Sequence, residues 1–173
     1  MLFMVGGVAI WGGGLWFVGL ISICVGLMLW ELATMLRCGP KRAKLMALVG
    51  GTALFLANLV PVGFGLPILM LVPMLAIAVI HKHRRIMVSF TAAILLAGLA
   101  LTEHLINFGL AWMIWLIAVV VISDVAGYFA GRILGGPKFW PRVSPKKTWS
   151  GTIAGWIGAA IVGLIWVIWQ DAG

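Results

Sequence analysis

The stretch SDVAGYFAGRILGGPKFWPRVSPKKTWSG, residues 123–151, holds most of the polar chemistry of an otherwise apolar chain. It begins beside an acid, Asp124, in an apolar segment, continues through a glycine-rich basic loop, and ends on a Ser-Pro-Lys-Lys-Thr sequence. An acid within an apolar segment is costly to insert into a membrane and indicates a functional position. We therefore interpret this stretch as half of a phosphate-handling site at a membrane face.

The composition of the whole chain indicates an integral membrane protein. Of its 173 residues, 64% are hydrophobic and 9% are charged, which is far from the composition of a soluble domain. Long apolar runs in this setting predict an all-α fold, a polytopic transmembrane helical bundle. We expect one membrane-embedded domain over residues 1–173. We also expect both cysteines, Cys24 and Cys38, to be inert, because no CxxC motif and no His at ligand spacing lies nearby.

About six membrane spans follow from the apolar runs. Residues 2–36 are too long for one span and short for two, so a short extra N-terminal span with a break at residues 12–14 is possible. A short polar connection at 102–109 separates two of the later spans. The remaining predicted spans cover residues 45–59, 66–80, 86–101, 110–132 and 145–169.

The basic residues have a strongly alternating distribution. Loops 37–44, 82–85 and 132–147 hold four, three and five Lys or Arg, which are all twelve in the chain, whereas turns 61–65 and 102–109 hold none. This is the positive-inside pattern, and it predicts that the three basic loops are cytoplasmic. Although the formal net charge is +8, clustering beside apolar runs indicates a membrane surface and argues against nucleic acid as a partner.

Asp124 lies eight residues before Arg132, about 12 Å along a helix, and so below the lipid headgroups. Burying an acid there costs about 2.5–3.5 kcal/mol, so the carboxylate should face a cavity, a cation or a protein partner. A structural hydrogen bond is the alternative interpretation. Gly127, Tyr128 and Gly131 lie on roughly the same face, where the glycines admit either a ligand or a closely packed helix.

Ser144 and Pro145 predict the start of a helix, with Ser144 as N-cap and Pro145 as first helical residue. Lys146 and Lys147 would then lie in its first turn, which repels cations unless an anion is bound. Together with the free backbone N–H groups and the Ser144 and Thr148 hydroxyls, the two lysines would form a cradle for phosphate. Lysines whose stems run along the membrane surface are the alternative.

Three segments, DVAGYFAGR at 124–132, GGPK at 135–138 and SPKKTWSG at 144–151, together resemble the bacterial-type phosphatidate cytidylyltransferase (CDP-diacylglycerol synthase) family. The resemblance implies a nucleotidyltransferase of phospholipid biosynthesis. In that reaction the phosphate of phosphatidic acid attacks the α-phosphorus of CTP, giving CDP-diacylglycerol and pyrophosphate. The partners implied are CTP, phosphatidic acid, membrane lipids and a possible second copy in a homodimer, in the bacterial inner membrane.

Mapped onto this sequence, the resemblance implies two sets of site residues. Asp124, Lys146 and Lys147 would be catalytic, and Asp124 would also be a ligand of Mg²⁺, with a second monovalent cation possible. The implied substrate-binding residues are Tyr128, Arg132, Lys138, Arg142, Ser144 and Thr148.

The family's C-terminal signature, which carries its main metal-binding carboxylates, has no counterpart in this sequence. We therefore expect an incomplete family domain, a substrate-side half-site that lacks the metal-side carboxylates needed for activity as this short chain. Two alternatives stay open at the level of sequence. One is a small polytopic lipid-binding or transport protein, and the other is an accessory subunit that supplies a basic half-site to a partner.

Overall fold

The computed structural model describes residues 14–61, 63–79 and 83–171. The predicted break at residues 12–14 and the extra N-terminal span lie largely outside these ranges. The described part is almost entirely helical, which confirms the all-α prediction, with one small β-hairpin in addition. Its elements, in chain order, are α1 (Gly14–Met35), α2 (Pro40–Ala57), α3 (Gly65–Val79), α4 (Arg84–Ile133), β1 (Lys138–Trp140), β2 (Ser144–Thr148) and α5 (Trp149–Asp171).

Three helices of the described part, α1, α4 and α5, are long and apolar enough to cross a membrane. Large apolar side chains cover their surfaces: Trp16, Ile133 and Leu164 are examples, each more than 60% exposed. Such extensive apolar exposure suits lipid rather than water. The chain is therefore a membrane protein.

Helix α4 corrects one predicted boundary. The polar connection expected at 102–109 is helical, and the helical dihedral angles fail only at Gly109, with φ 82° and ψ −176°. Polar side chains in this region are satisfied along the helix itself: Thr102 Oγ1 donates to Gly98 O and Leu99 O, and Asn107 Nδ2 donates to Glu103 Oε2 at 2.6 Å. These pairings over three or four residues let the helix continue until glycine breaks it.

The chain divides into two compact units between Leu110 and Ala111. In the first unit, α1 packs against α2, and α2 packs against α3. Small residues bring α1 and α2 close together: a Cβ built on Gly26 would lie 2.9 Å from Ala47 O, and one on Gly51 would lie 2.9 Å from Ser22 O. The core beside this crossing consists of buried aliphatic and methionine side chains, among them Val25, Leu29, Met46, Leu54, Leu69 and Met87.

Both cysteines of the first unit are free thiols. Cys38 lies between α1 and α2, where burial raises the pKa of its thiol and nearby Arg42 opposes that rise. A raised pKa lowers the thiolate fraction at neutral pH, so Cys38 is a weak nucleophile.

The second unit contains the end of α4, the hairpin and α5. Here too glycines form the helix contact: a Cβ on Gly155 would lie 3.0 Å from Ser123 O, and one on Gly127 would lie 3.1 Å from Gly151 O. The glycine pattern at 127–131 and 151–155 is therefore helix packing of the small-xxx-small kind. This close contact fixes where the chain between the two helices, residues 134–148, begins and ends.

Candidate functional site

The Ser-Pro-Lys-Lys-Thr sequence is a β-strand and not the predicted helix start. Ser144–Thr148 pairs antiparallel with Lys138–Trp140, with Lys138 opposite Thr148 and Trp140 opposite Ser144. Helix α5 begins only at Trp149. The prediction that Ser144 caps a helix whose first turn holds Lys146 and Lys147 is therefore wrong.

Thr148 takes the capping position that the sequence assigned to Ser144. Its Oγ1 accepts a hydrogen bond from the Gly151 backbone N–H at 3.3 Å, the contact that an N-cap hydroxyl makes with the third helical residue. Pro145 suits the strand equally well, since its fixed φ is compatible with extended backbone and its missing N–H costs nothing at a sheet edge. Strand β1 thus pairs with Ser144–Thr148. The Thr148 hydroxyl at the end of that strand is still able to cap α5.

A second hydroxyl, that of Ser150, ties the hairpin to the end of α4. Ser150 Oγ lies 3.1 Å from Thr148 Oγ1 and donates to Gly135 O. Thr152 Oγ1 adds a bond to Thr148 O at 3.0 Å, and Thr148 is only 4% exposed. The hairpin therefore has a fixed base at the junction of the two helices.

Glycine and aromatic residues complete the hairpin. Gly135 and Gly136 adopt φ values of 60° and 106°, the left-handed region that turns the chain out of α4 at little cost only for glycine. The Trp149 N–H donates to Pro137 O at 3.1 Å. The Phe139 and Trp149 rings stack edge to face with centroids 4.7 Å apart, so one aromatic pair covers the base.

The basic side chains project from this frame. Lys138, Arg142, Lys146 and Lys147 are all exposed. The Lys147 ammonium lies 5.6 Å from the centroid of the Phe139 ring, within the range of a cation–π contact. The hairpin therefore holds four cations on a short, hydrogen-bonded segment.

Arg132 and Tyr128 form a pair on the last turns of α4. Arg132 Nη1 donates to Tyr128 Oη at 2.8 Å, and the guanidinium carbon lies 6.0 Å from the ring centroid. Both side chains are exposed. The phenol holds one edge of the guanidinium, and the other N–H groups stay available to an anion.

Asp124 lies one turn before Tyr128 and is exposed in the second unit. Within residues 83–171 the structure shows no hydrogen bond or ion pair for its carboxylate, so the alternative of a structural hydrogen bond finds no support there. Among the described residues, no group of three or more His, Cys, Asp and Glu side chains could hold a metal ion. One carboxylate supplies too few oxygens for Mg²⁺, so the residues described do not by themselves fit a magnesium site.

Sequence reasoning missed two residues that shape the site. Ser150 bridges Thr148 and Gly135, and Phe139 contacts both Lys147 and Trp149. The adjacent aromatic residues Phe139 and Trp140, between two prolines, are typical of a short strand, which could have indicated Phe139. Nothing in the local pattern indicated Ser150, because its partner Gly135 lies fifteen residues away.

Comparison with known proteins relates the sequence of this chain to a family. The sequence matches the model of the Cytidylyltransferase family over residues 1–171. The phosphatidate cytidylyltransferase of Brucella suis biovar 1 (strain 1330) is 53% identical over 58 residues, 34% of this chain and 22% of that relative. The enzymes of the same name from Staphylococcus saprophyticus subsp. saprophyticus and Helicobacter pylori are 38% and 44% identical, over 36% and 33% of this chain and 24% and 21% of their own lengths.

These matched segments thus span less than a quarter of each relative. No solved structure matches the chain. The family match, by contrast, extends over nearly the whole sequence, including every element described above. This chain belongs to the Cytidylyltransferase family.

Proposed function

We propose that the chain forms part of a phosphatidate cytidylyltransferase, which makes CDP-diacylglycerol and pyrophosphate from CTP and phosphatidic acid. An oxygen of the lipid phosphate attacks the α-phosphorus of CTP. The bond between that phosphorus and the oxygen bridging to the β-phosphate breaks, and pyrophosphate leaves. The family match and the names of the relatives support this assignment.

The observation that carries the proposal is the fixed basic hairpin. Between Asp124 and Asp171 the sequence contains five basic residues and no acid. The described structure presents four of them on residues 138–147 and the fifth, Arg132, at the end of the preceding helix. CTP and phosphatidic acid are both anionic, so bringing them together requires cations held in place, and catalysis of phosphoryl transfer is mainly positioning and charge stabilisation.

The proposed roles differ among these residues. Lys146 and Lys147 would neutralise charge on the phosphates that react. Arg132, with one edge held by Tyr128, would bind a phosphate with its free edge. Lys138 and Arg142 would add charge from the first strand and the turn.

Three proposed roles rest on the resemblance more than on contacts. Substrate binding by Ser144 stays a prediction, as does that by Thr148, whose hydroxyl is already bonded within the hairpin. A catalytic role of Asp124, with Mg²⁺ and a second cation, also stays a prediction, and no role above depends on a metal.

The proposed setting is the bacterial inner membrane, crossed about six times, with the basic loops in the cytoplasm where CTP is available. Kinked α4 has a helical segment of at least 23 residues on each side of Gly109, and either segment is long enough for a span of ~20 residues. A homodimer is part of the proposal.

The test is CTP binding by the purified chain in detergent, measured by calorimetry, together with CTP-dependent formation of CDP-diacylglycerol. Lys147→Gln should weaken CTP binding about tenfold, the effect of losing ~1.4 kcal/mol. Arg85→Gln, which removes an exposed positive charge from the start of α4, should leave it unchanged.

Equal losses in Lys147→Gln and Arg85→Gln would contradict the site. CTP binding without turnover would favour the accessory half-site, in which a partner completes the enzyme. Binding of phosphatidic acid without any binding of CTP would favour a lipid-binding or transport protein.

A further inference from the structure

An apolar groove of about 600 Å³ runs between α1 and α2 in the first unit. Three glycines line it. Gly26 and Gly51 bring α1 and α2 close together, whereas a Cβ built on Gly19 would meet no atom within 4 Å, so a larger residue at 19 would fill the space. Ile23, Leu27, Leu48 and Leu56 form its rims, and all four are at least half exposed. The groove belongs to neither the hairpin nor the residues proposed to bind CTP.

The groove offers no polar surface to a ligand. Two hydroxyl residues line it, and neither presents a free hydroxyl at its surface. Thr52 Oγ1 donates back to Leu48 O at 2.7 Å. The Ser22 side-chain oxygen is fully buried and has no hydrogen-bond partner among the described residues. The groove therefore suits an apolar occupant, and a membrane provides acyl chains on all sides.

One end of the groove leads to a cluster of positive charge. On α2 the lining residues recur at 47/48, 51/52 and 55/56, and the same helical face continues through Lys44 and Lys41 at three- and four-residue steps. Lys44 lies about 6 Å along the helix from Leu48. Arg37, in the loop before α2, and Arg42, in the first turns of α2, are exposed as well. Residues 28–44 therefore hold four cations and a single acid, Glu31.

The apolar groove and its basic end together suit a molecule that has both an acyl chain and an anionic headgroup. We propose that α1 and α2 bind an anionic glycerophospholipid, with one acyl chain in the groove and the phosphate at Lys41 and Lys44. The groove extends about 12–14 Å along the helices, counted from Gly19 to Leu27 and from Ala47 to Leu56. This lipid site is independent of the CTP-binding function proposed for the second unit.

Charge argues against a second copy of this chain in the groove. Copies inserted into one membrane share an orientation, so a second α1–α2 pair would bring its own basic loop to the same end. Like charges placed together across an interface are unfavourable. An anionic headgroup removes that repulsion, and its acyl chain fills the space between the rims.

The test is photocrosslinking of the purified full chain in vesicles that contain phosphatidylglycerol or phosphatidylcholine with a diazirine on one acyl chain. Peptide mapping should locate label on residues 17–27 and 45–57, with more label from phosphatidylglycerol. Gly19→Leu should lower that label about tenfold, because a Cβ there meets no atom within 4 Å and a larger side chain would occupy the groove without disturbing the helices. Gly163→Leu, at an equally open position on α5, should leave it unchanged.

Lys41→Gln with Lys44→Gln should remove the preference for phosphatidylglycerol while the helices stay folded. Equal labelling of the Gly19→Leu variant and the wild-type chain would overturn the proposal. So would equal labelling by the two lipids, or competition by inorganic phosphate alone, which would make the basic loop a phosphate site without a lipid. A dimer that Gly19→Leu disrupts, with no label in the groove, would assign the groove to a second copy and also overturn the proposal.

Discussion

Gly151 shows how a single residue positions the site. A Cβ at this position would lie 2.5 Å from Gly127 O and 3.2 Å from Gly131 Cα. These are backbone atoms, which cannot move aside as the end of a flexible side chain can. Glycine at 151 therefore allows α5 to begin directly against α4, and the hairpin base at Thr148 and Ser150 follows from that contact.

Gly151→Ala should lower the thermal stability of the chain in detergent. Alanine favours a helix by ~1 kcal/mol over glycine, but overpacking against backbone costs about 1–3 kcal/mol, so the clash outweighs the gain. Gly163→Ala is the matched control, because it has the same propensity gain in α5 and open space around the new methyl group. A melting temperature of Gly151→Ala equal to or above that of Gly163→Ala would contradict this packing.

Among the elements, the helices were predicted well from the apolar runs. The conformation of the polar motif at 144–148 was predicted poorly. The apolar run at 66–80 agrees closely with helix α3, and that at 45–59 overlaps helix α2, since long apolar segments in lipid have few alternatives to a helix. That these two helices cross the membrane stays a prediction. The hairpin was not predictable from residues 144–148 alone. A strand depends on its pairing partner, here Lys138–Trp140, whereas a cap-like Ser-Pro pattern depends only on local sequence.

Thr148 gives a test of the hairpin as an element. Thr148→Val keeps the shape but removes the hydroxyl that caps α5 and meets Ser150, and loss of an N-cap costs about 0.5–2 kcal/mol. We expect faster amide hydrogen exchange in the first turn of α5 and in residues 135–140. Thr148→Ser retains the hydroxyl and should exchange much as the wild-type chain does.

Unchanged exchange in Thr148→Val would contradict the capping role. It would leave the Thr148 hydroxyl free for the substrate contact that the sequence resemblance implies.

At the scale of the whole molecule, the motif at 123–151 forms the end of α4, the hairpin and the start of α5, an arrangement that differs from the predicted one. Asp124, Tyr128 and Arg132 follow one another along α4 at four-residue steps, as predicted from helical periodicity. Lys146 and Lys147 were expected around a helix start and lie instead on a strand. The positive charge of the segment between α4 and α5 is the same whether Lys146 and Lys147 lie on a strand or at a helix start. A prediction that rests on charge alone is therefore unaffected by the error in local conformation.

The charge pattern therefore makes the last prediction, the orientation of the chain in the membrane. In a variant with Cys24 and Cys38 replaced by alanine, single cysteines at Lys41→Cys and Arg142→Cys should react with a membrane-impermeant maleimide only after bacterial cells are opened. Phe64→Cys, in the turn before α3 and 66% exposed, should react in intact spheroplasts. Positive loops stay on the cytoplasmic side because translocating them is unfavourable. Labelling of Arg142→Cys in intact spheroplasts would place the hairpin on the side without CTP and contradict both the topology and the proposed nucleotide site.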